Sequence, residues 1–124
     1  MQTFDKTERI TSKLLIDRLF ERECTSIVAF PFRVVYTLIP HGESPVSILI
    51  SVPKRRFRHA VDRNRMKRQV REAYRKQKQE LWSLLKGRSE SLAIAFVCIA
   101  SEPCTSEFIN RSISKALHHI ATEL

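Results

Sequence analysis

One stretch of the sequence concentrates residues that bind anions. Residues 54–76 read KRRFRHAVDRNRMKRQVREAYRK and hold eleven of the chain's 22 lysines and arginines, but only two of its 13 acids. This local charge of +9 equals the net charge of the whole 124-residue chain. The other residues are therefore neutral as a set, and the positive charge is concentrated at one place, which indicates a polyanionic partner.

The residue types within this stretch favour nucleic acid as that partner. Arginine outnumbers lysine, and its planar guanidinium suits bidentate phosphate contacts and stacking on bases. Asn64 both donates and accepts hydrogen bonds, which permits contacts with base edges or ribose hydroxyls. A solvated charged face is the ordinary alternative, but bases at i, i+4 spacing such as Lys67 and Arg71 repel each other unless an anion neutralises them.

Helical periodicity positions these bases. From about Ala60 the apolar residues that share one predicted helical face are Met66, Val70, Ala73, Leu81 and Leu84. A neighbouring face collects Asn64, Lys67, Arg68, Arg71 and Arg75. The same helix can therefore bury one side in a core and offer the other to a partner, and Gly87 suits the position just after its end.

Two alternating runs precede the basic stretch. Residues 27–39 (IVAFPFRVVYTLI) place Phe30, Phe32, Val34, Tyr36 and Leu38 on one side of a strand. Pro31 splits this run or holds it at a sheet edge, which leaves room for an extra strand near Ile27. Residues 46–52 alternate again, with Val46, Ile48, Ile50 and Val52 on one face. We interpret the two runs as an antiparallel pair.

The remaining elements complete one small α+β domain over residues 1–124. A first helix is predicted over residues 12–23, with Leu15, Ile16, Leu19 and Phe20 on one face. Residues 92–100 (LAIAFVCIA) are apolar on both faces, as expected of a central strand covered on both sides. A last helix begins near Ser106, and its apolar stripe comprises Ile109, Ile113, Ala116, Leu117, Ile120 and Leu124. No apolar run is long enough to span a bilayer, and no signal peptide is visible.

The sequence gives little support for protein-based catalysis. The adjacent His118 and His119 point about 100° apart on a helix and do not easily face one metal. The acids form no pair at a general acid and base spacing, and two glycines cannot make a phosphate-binding loop. The three cysteines, Cys24, Cys98 and Cys104, show no metal-ligand spacing and are interpreted as free thiols of a reducing cytoplasm.

At residues 51–75 (SVPKRRFRHAVDRNRMKRQVREAYR) the sequence resembles the signature of the protein subunit of bacterial ribonuclease P. The hallmark is Arg-Asn-Arg followed by an apolar residue, Lys and Arg, which here occupies residues 63–68. The segments ERI, DRLF, FRVVYTL and AIAFVCIA also agree. The sequence departs from the family pattern at Leu49, where the family usually has Gly, and at Ile16, where an aromatic residue is frequent. Its N-terminus is also less basic.

The resemblance implies a cofactor protein within a ribonucleoprotein. In that family a large RNA uses bound Mg²⁺ to hydrolyse precursor tRNA and release the 5′ leader, so no catalytic or metal-binding residue is expected in the protein. The implied fold is a two-layer α/β sandwich of order αβββαβα, with about four strands and three helices and a left-handed βαβ crossover. The implied state is one protein per RNA subunit in the cytoplasm, with no membrane or DNA partner.

The resemblance also implies two sets of binding residues. The catalytic RNA is expected to contact Arg58, Arg63, Asn64, Arg65, Lys67, Arg68, Arg71 and Arg75. The leader of precursor tRNA is expected in a cleft between the first helix and the sheet, lined by Ile16, Phe20, Phe32, Tyr36, Ser51, Lys54 and Arg55. Stacking of unpaired bases on such rings would contribute to binding, although position alone favours an ordinary core role for the rings.

Two other classes of protein share the charge asymmetry. A ribosomal or other structural RNA-binding protein is one alternative, and the Arg-Asn-Arg motif and its strand context argue against it. A basic-helix DNA-binding protein is the other, but it needs a dimerisation element, and Leu81, Leu84 and Leu85 make no heptad array.

Overall fold

The computed structural model describes residues 25–40 and 45–124. Its strands are Thr25–Ala29 (β1), Phe32–Pro40 (β2), Val46–Ser51 (β3) and Glu90–Cys98 (β4). Its helices are Ala60–Gln77 (α1), Gln79–Leu85 (α2) and Ser106–Glu123 (α3). The α+β class is confirmed, while the helix predicted over residues 12–23 lies outside the described residues.

The four strands form one mixed sheet with the order β1-β2-β4-β3. β2 is antiparallel to both β1 and β4, whereas β3 runs parallel to β4. The predicted antiparallel pairing of β2 with β3 is wrong, because β4 lies between them. β4 is apolar on both faces and therefore takes an interior position. The helices α1 and α2 connect the parallel strands β3 and β4, and the left hand implied for this crossover stays a prediction.

Pro31 separates β1 from β2. It lies in the turn between these strands, and its carbonyl accepts the N–H of Ile99 at 2.9 Å. A proline has no N–H to donate to a strand ladder, so the ladder is interrupted at this point. The extra strand near Ile27 is thereby confirmed as β1.

The sheet buries apolar residues on both faces. One face packs against the helices and carries the main core, which includes Phe32, Val34 and Ile48. The opposite face holds a smaller buried cluster of Val35, Ala93 and Ala95. The predicted alternation of β2 and β3 is confirmed from residue 32 onward, and so is the burial of both faces of β4. Phe30 departs from the pattern, since it lies in the turn and is 55% exposed.

The predicted long helix is divided at Lys78 into α1 and α2. The interruption shifts the phase of the apolar stripe, so Leu81 and Leu85 are buried, whereas Leu84 is 39% exposed and its predicted burial is wrong. Lys78 is itself buried, with its Nζ 4.6 Å from the centre of the Trp82 ring. This contact places the ammonium over an aromatic face, which compensates part of its lost hydration.

The ends of the later helices follow the sequence closely. Gly87, just after α2, has φ +86, which confirms its predicted place beyond a helix end. At the start of α3 the Thr105 hydroxyl accepts the N–H of Phe108 at 3.2 Å. The predicted stripe of α3 is buried from Ile109 to Ile120, and Leu124 is half-buried.

α3 also fixes the position of α1. The side-chain amide of Gln69 donates to the Cys104 carbonyl at 3.2 Å, and that of Gln77 donates to the Asn110 carbonyl at 3.2 Å. These polar contacts flank the apolar interface between the two helices, so one side of α1 faces α3 and the other is left for the basic residues. Among the described helices none is long and apolar enough to cross a membrane.

Candidate nucleic-acid interface

A tight turn connects β3 to α1 and presents bases to solvent. The carbonyl of Pro53 accepts the N–H groups of Arg56 and Phe57 at 3.1 and 3.2 Å. The Phe57 ring is buried and anchors the turn in the core. Lys54 and Arg55 lie at the tip with exposed side chains. The anchored backbone therefore holds two cations outward at the carboxyl end of β3.

Two arginines of the basic stretch stabilise this segment from within. Arg56 Nη1 donates to the Ile99 carbonyl at 2.6 Å and so connects the turn to the end of β4. Arg63 Nη1 donates to the carbonyls of Phe57 and Arg58 at 2.8 and 2.9 Å. These guanidinium groups satisfy backbone carbonyls of residues that lie outside helices and strands. Arg63 was predicted to contact RNA, but its Nη1 group forms hydrogen bonds within the protein.

The outer side of α1 gathers the remaining bases. The helix buries Met66, Val70, Ala73 and Tyr74, and the opposite side carries polar side chains that are exposed or half-buried. We call this set the basic face, and it comprises Asn64, Arg65, Lys67, Arg68, Arg71 and Arg75. Asn64, Arg65 and Arg68 are its exposed members. The structure therefore brings together most of the predicted RNA-binding residues on one helix.

One acid moderates the charge at the far end of the basic face. Glu72 accepts a hydrogen bond from Arg75 Nε at 3.2 Å and forms an ion pair with the same guanidinium. The hydrogen bond from Arg75 lowers the pKa of Glu72. The pairing offsets part of the charge of Arg75, whereas Arg65 and Arg68 have exposed side chains. Both partners are on the surface, so the pair adds little to fold stability.

Arg58 and His59 lie between the turn and the first residue of α1. Both side chains are exposed, and His59 occupies the N-cap position without a side-chain capping bond. The carbonyl of Arg58 is fixed by Arg63, as described above, while its side chain remains in solvent. Arg58 therefore lies beside the N-terminal end of the basic face, and its contact with RNA stays a prediction.

Two residues predicted to line the leader cleft, Phe32 and Tyr36, lie in the core. The Phe32 ring is fully buried and the Tyr36 ring is 7% exposed, both on the face of the sheet covered by helices. Ser51 lies on the opposite face, paired with Val97 of β4. Residues on opposite faces of a sheet cannot line one groove. Ile16 and Phe20, the other predicted members of the cleft, lie outside the described residues.

The alternation of apolar residues along a strand identifies the residues that share a face, but it does not show which face the helices cover. Tyr36 points toward the C-terminal end of α3, where burial, together with the nearby Glu123 carboxylate, raises the pKa of its phenol. The position of the family's usual glycine is occupied by Leu49, which is half-buried against Val35 and its neighbours on the other face. Lys54, Arg55 and Ser51 remain together at the end of β3.

The structure offers few other reactive groups. In residues 25–40 and 45–124, no three His, Cys, Asp or Glu side chains are grouped closely enough to hold a metal ion. Cys98 is buried and Cys104 is half-buried, and both are free thiols, as the sequence predicted for them. Burial raises the pKa of each thiol. Cys24 lies outside the described residues.

Sequence reasoning missed a second group of bases, which lies on α3. Phe108, Arg111, Lys115 and His119 line one side of a groove between this helix and β1. Their spacing of three, four and four residues puts them on one helical face and was a detectable signal.

Comparison with known proteins identifies relatives over nearly the whole chain. The sequence model of the Ribonuclease P family matches residues 4–123. The ribonuclease P protein component of Porphyromonas gingivalis (strain ATCC 33277) is 41% identical over 117 residues, which covers 94% of this chain and 85% of that protein. The component from Chlorobium phaeobacteroides is 40% identical over 82 residues, which covers 60% of this chain and 56% of that protein.

Solved structures show the same fold. The Staphylococcus aureus RNase P protein matches with a TM-score of 0.66 at 24% sequence identity, covering 94% of this chain and 96% of that one. A mutant of the same protein, described as defective in mRNA degradation activity, matches with a TM-score of 0.64 at 23% identity, covering 94% and 90% of the two chains.

Proposed function

The chain belongs to the Ribonuclease P family, and on this premise we propose that it is the protein cofactor of a ribonuclease P ribonucleoprotein. The family supplies protein components of an RNA-containing endoribonuclease that processes tRNA. In this proposal the basic face binds the catalytic RNA, and the protein assists removal of the 5′ leader from precursor tRNA.

The single observation that carries the proposal is the two-sided build of α1. One side is buried through Met66, Val70 and Ala73, and the other presents the basic face. A rigid helix packed on a core can hold guanidinium groups at fixed spacing against a folded RNA, which reduces the side-chain entropy lost on binding. Phosphate contacts of this kind position the protein, while Asn64 adds a donor and an acceptor for a base edge or a ribose.

The leader is proposed to pass the carboxyl end of β3. Lys54 and Arg55 are exposed there and Ser51 is half-buried beside them, so this edge offers two cations and a hydroxyl to a single strand. Ile16 and Phe20 belong to this proposal through the family resemblance. Phe32 and Tyr36 do not, because their rings are buried on the other face of the sheet.

The chemical step is proposed to belong to the RNA subunit, with Mg²⁺ bound mainly by that RNA and by the substrate. Among the described residues, no three His, Cys, Asp or Glu side chains are grouped to hold a metal ion. The proposal therefore assigns no catalytic step to a metal ion bound by the protein. The contribution of the protein is electrostatic. Its bases reduce the repulsion between two polyanions and replace part of the cation requirement. A monomeric protein in a one-to-one cytoplasmic complex is part of the same proposal.

Reconstitution tests this proposal. The protein is mixed with its cognate ribonuclease P RNA and a precursor tRNA at low Mg²⁺, and cleavage at the mature 5′ end is followed. We expect the protein to accelerate cleavage mostly at low Mg²⁺ and to show no specific cleavage without the RNA.

The controls separate the alternatives. An Arg68→Gln/Arg71→Gln variant is expected to lose the acceleration. The Lys86→Gln variant, which removes an exposed charge at the end of α2 and outside the basic face, is expected to retain it. Tight RNA binding without any effect on cleavage would instead favour a structural RNA-binding protein. Specific cleavage by the RNA-free protein, retained after nuclease treatment, would refute the division of roles.

A further inference from the structure

A groove of about 510 Å³ runs between β1 and α3, apart from the basic face. One side is formed by the backbone and side chains of β1, including Ile27 and Ala29, and the other by the outward face of α3. α1 contacts α3 through Gln69 and Gln77 near residues 104–110, whereas the groove is on the side of α3 that meets β1. The two surfaces are therefore separate.

Two exposed phenylalanines lie at one end of this groove. The Phe30 and Phe108 rings have centroids 6.1 Å apart and are tilted by 39°, and they are 55% and 37% exposed. The Ser112 hydroxyl donates to the Phe30 carbonyl, so the turn that carries Phe30 is tied to α3. The rings are thus held in place while their faces remain accessible, which is the arrangement that stacking on an unpaired base requires.

Three bases continue the groove beyond the rings. Arg111, Lys115 and His119 follow along α3, with the last two steps of four residues corresponding to about 6 Å each along the helix axis. Arg111 contacts Glu107 at 3.7 Å, but both side chains are more than 70% exposed, so this pair is weak and the guanidinium remains available. No acid is among the described residues that line the groove.

We propose that this groove is a second RNA-binding site, which takes a few nucleotides of single-stranded RNA. A base stacks on the Phe30 and Phe108 rings, and the following phosphates contact Arg111 and Lys115, with His119 beyond them. The inference concerns the free protein and does not require the chain to act in ribonuclease P.

The combination of rings and cations favours RNA over a peptide as the occupant. An apolar peptide would gain from Phe30 and Phe108 but would have to desolvate Arg111 and Lys115 without neutralising them. An acidic peptide would neutralise the bases but would leave the faces of the two rings without a matching group. Single-stranded RNA supplies an anion at every step and a π-face at every base.

The test uses the folded protein and a hexauridylate probe. In an Arg68→Gln/Arg71→Gln background, which weakens the basic face, ¹⁵N-labelled protein is titrated with the probe and amide shifts are followed by NMR. We expect shifts concentrated at Phe30 and along α3 from Phe108 to Lys115. Phe108→Leu and Lys115→Gln should each weaken binding about fivefold or more, since one stacked base or one phosphate contact is worth on the order of 1 kcal/mol.

Lys86→Gln is the matched control, because it removes one positive charge from an exposed residue at the C-terminal end of α2. It should change the affinity for hexauridylate by less than about twofold. Equal losses from Lys86→Gln and Lys115→Gln would overturn the proposal, since they would show only general electrostatics. Shifts confined to residues 54–76, or a groove that responds to an acidic peptide and not to hexauridylate, would overturn it as well. If Phe108→Leu fails to fold, Lys115→Gln, an exposed substitution, still decides the question.

Discussion

Arginines of the basic stretch, residues 54–76, perform different tasks, and their contacts distinguish them. Arg63 donates to two backbone carbonyls, those of Phe57 and Arg58, and Arg56 donates to the carbonyl of Ile99. Arg68 is exposed one turn further along α1. Arg56 and Arg63 therefore stabilise the backbone of this segment, whereas Arg68 is available to a binding partner.

This division predicts opposite effects of one conservative change. Arg63→Lys replaces the single Nη1 group that donates to both carbonyls by an ammonium of different reach and geometry, so we expect urea unfolding to show a loss of about 1 to 3 kcal/mol. Arg68→Lys keeps an exposed charge and should change stability by less than about 0.5 kcal/mol. Its cost should fall on RNA affinity through lost bidentate contacts. Equal stability of the two variants would show that the Arg63 hydrogen bonds contribute nothing.

The thiols give a pH-dependent prediction. Burial raises the pKa of Cys98 and Cys104, so each binds its proton more tightly in the folded state than in the unfolded state. The contribution of this shift to stability is therefore present below the unfolded thiol pKa of about 8.5 and is lost as pH rises through the folded value.

Alkylation tests the burial that causes these shifts. In a Cys24→Ser protein, iodoacetamide at neutral pH should modify Cys98 only on unfolding and Cys104 more slowly than a free thiol, because the thiolate is the nucleophile. Rapid modification of native Cys98 would contradict the burial described for it.

At the scale of elements, the sequence predicted the type and faces of most strands and helices but not their neighbours. The alternation of apolar residues in β2 and β3 could be predicted because one face of each strand packs on the helices. The position of β4 between β2 and β3 could not be predicted. Strand pairing depends on which strand is apolar on both faces and on the path of the intervening helices. For the same reason Phe32 and Tyr36 were assigned to a cleft and lie instead in the core.

Hydrophobic periodicity also could not predict that the long helix is divided at Lys78. The helical pattern continues through residue 78. The contacts at the division, in which Trp82 Nε1 donates to the Tyr74 hydroxyl at 3.0 Å and the Trp82 ring meets Lys78, depend on side-chain positions that residue spacing does not give. The basic face, by contrast, could be predicted almost completely, since it follows from residue spacing on α1 alone.

The end of α2 offers a test of one local rule. Gly87 has φ +86 and no atom would lie within 4 Å of an added Cβ, so a substitution meets backbone strain and no clash. We expect Gly87→Ala to lower stability by about 1 to 2 kcal/mol, and Gly87→Asn to lose less because Asn tolerates this conformation. Thermal unfolding of both, with Ser89→Ala as an exposed control, checks this. Equal losses for Ala and Asn would contradict the conformational explanation.

At the scale of the whole molecule, the charge is distributed to bind without disturbing the fold. The chain carries a net charge of +9, yet its main core contains apolar side chains from strands and helices alike. The bases are carried by a turn anchored through Phe57 and by the outer side of α1. Repulsion among them is the cost of an unoccupied binding surface, and it is relieved when phosphates arrive.

The salt dependence of RNA binding tests the central claim that the basic face is the RNA interface. The affinity of the protein for its cognate ribonuclease P RNA is measured across a range of KCl concentrations for three proteins. These are the unmodified chain, Arg68→Gln/Arg71→Gln, and the matched surface pair Lys86→Gln/Arg88→Gln, whose side chains are exposed beyond α2.

We predict that Arg68→Gln/Arg71→Gln lowers the magnitude of the slope of log K against log salt by about one to two units, because each lost phosphate contact removes about 0.7 to 0.9 released counterions. The matched pair should leave the slope unchanged. Equal reductions from both pairs, or an unchanged slope for Arg68→Gln/Arg71→Gln, would contradict a localised RNA interface on α1.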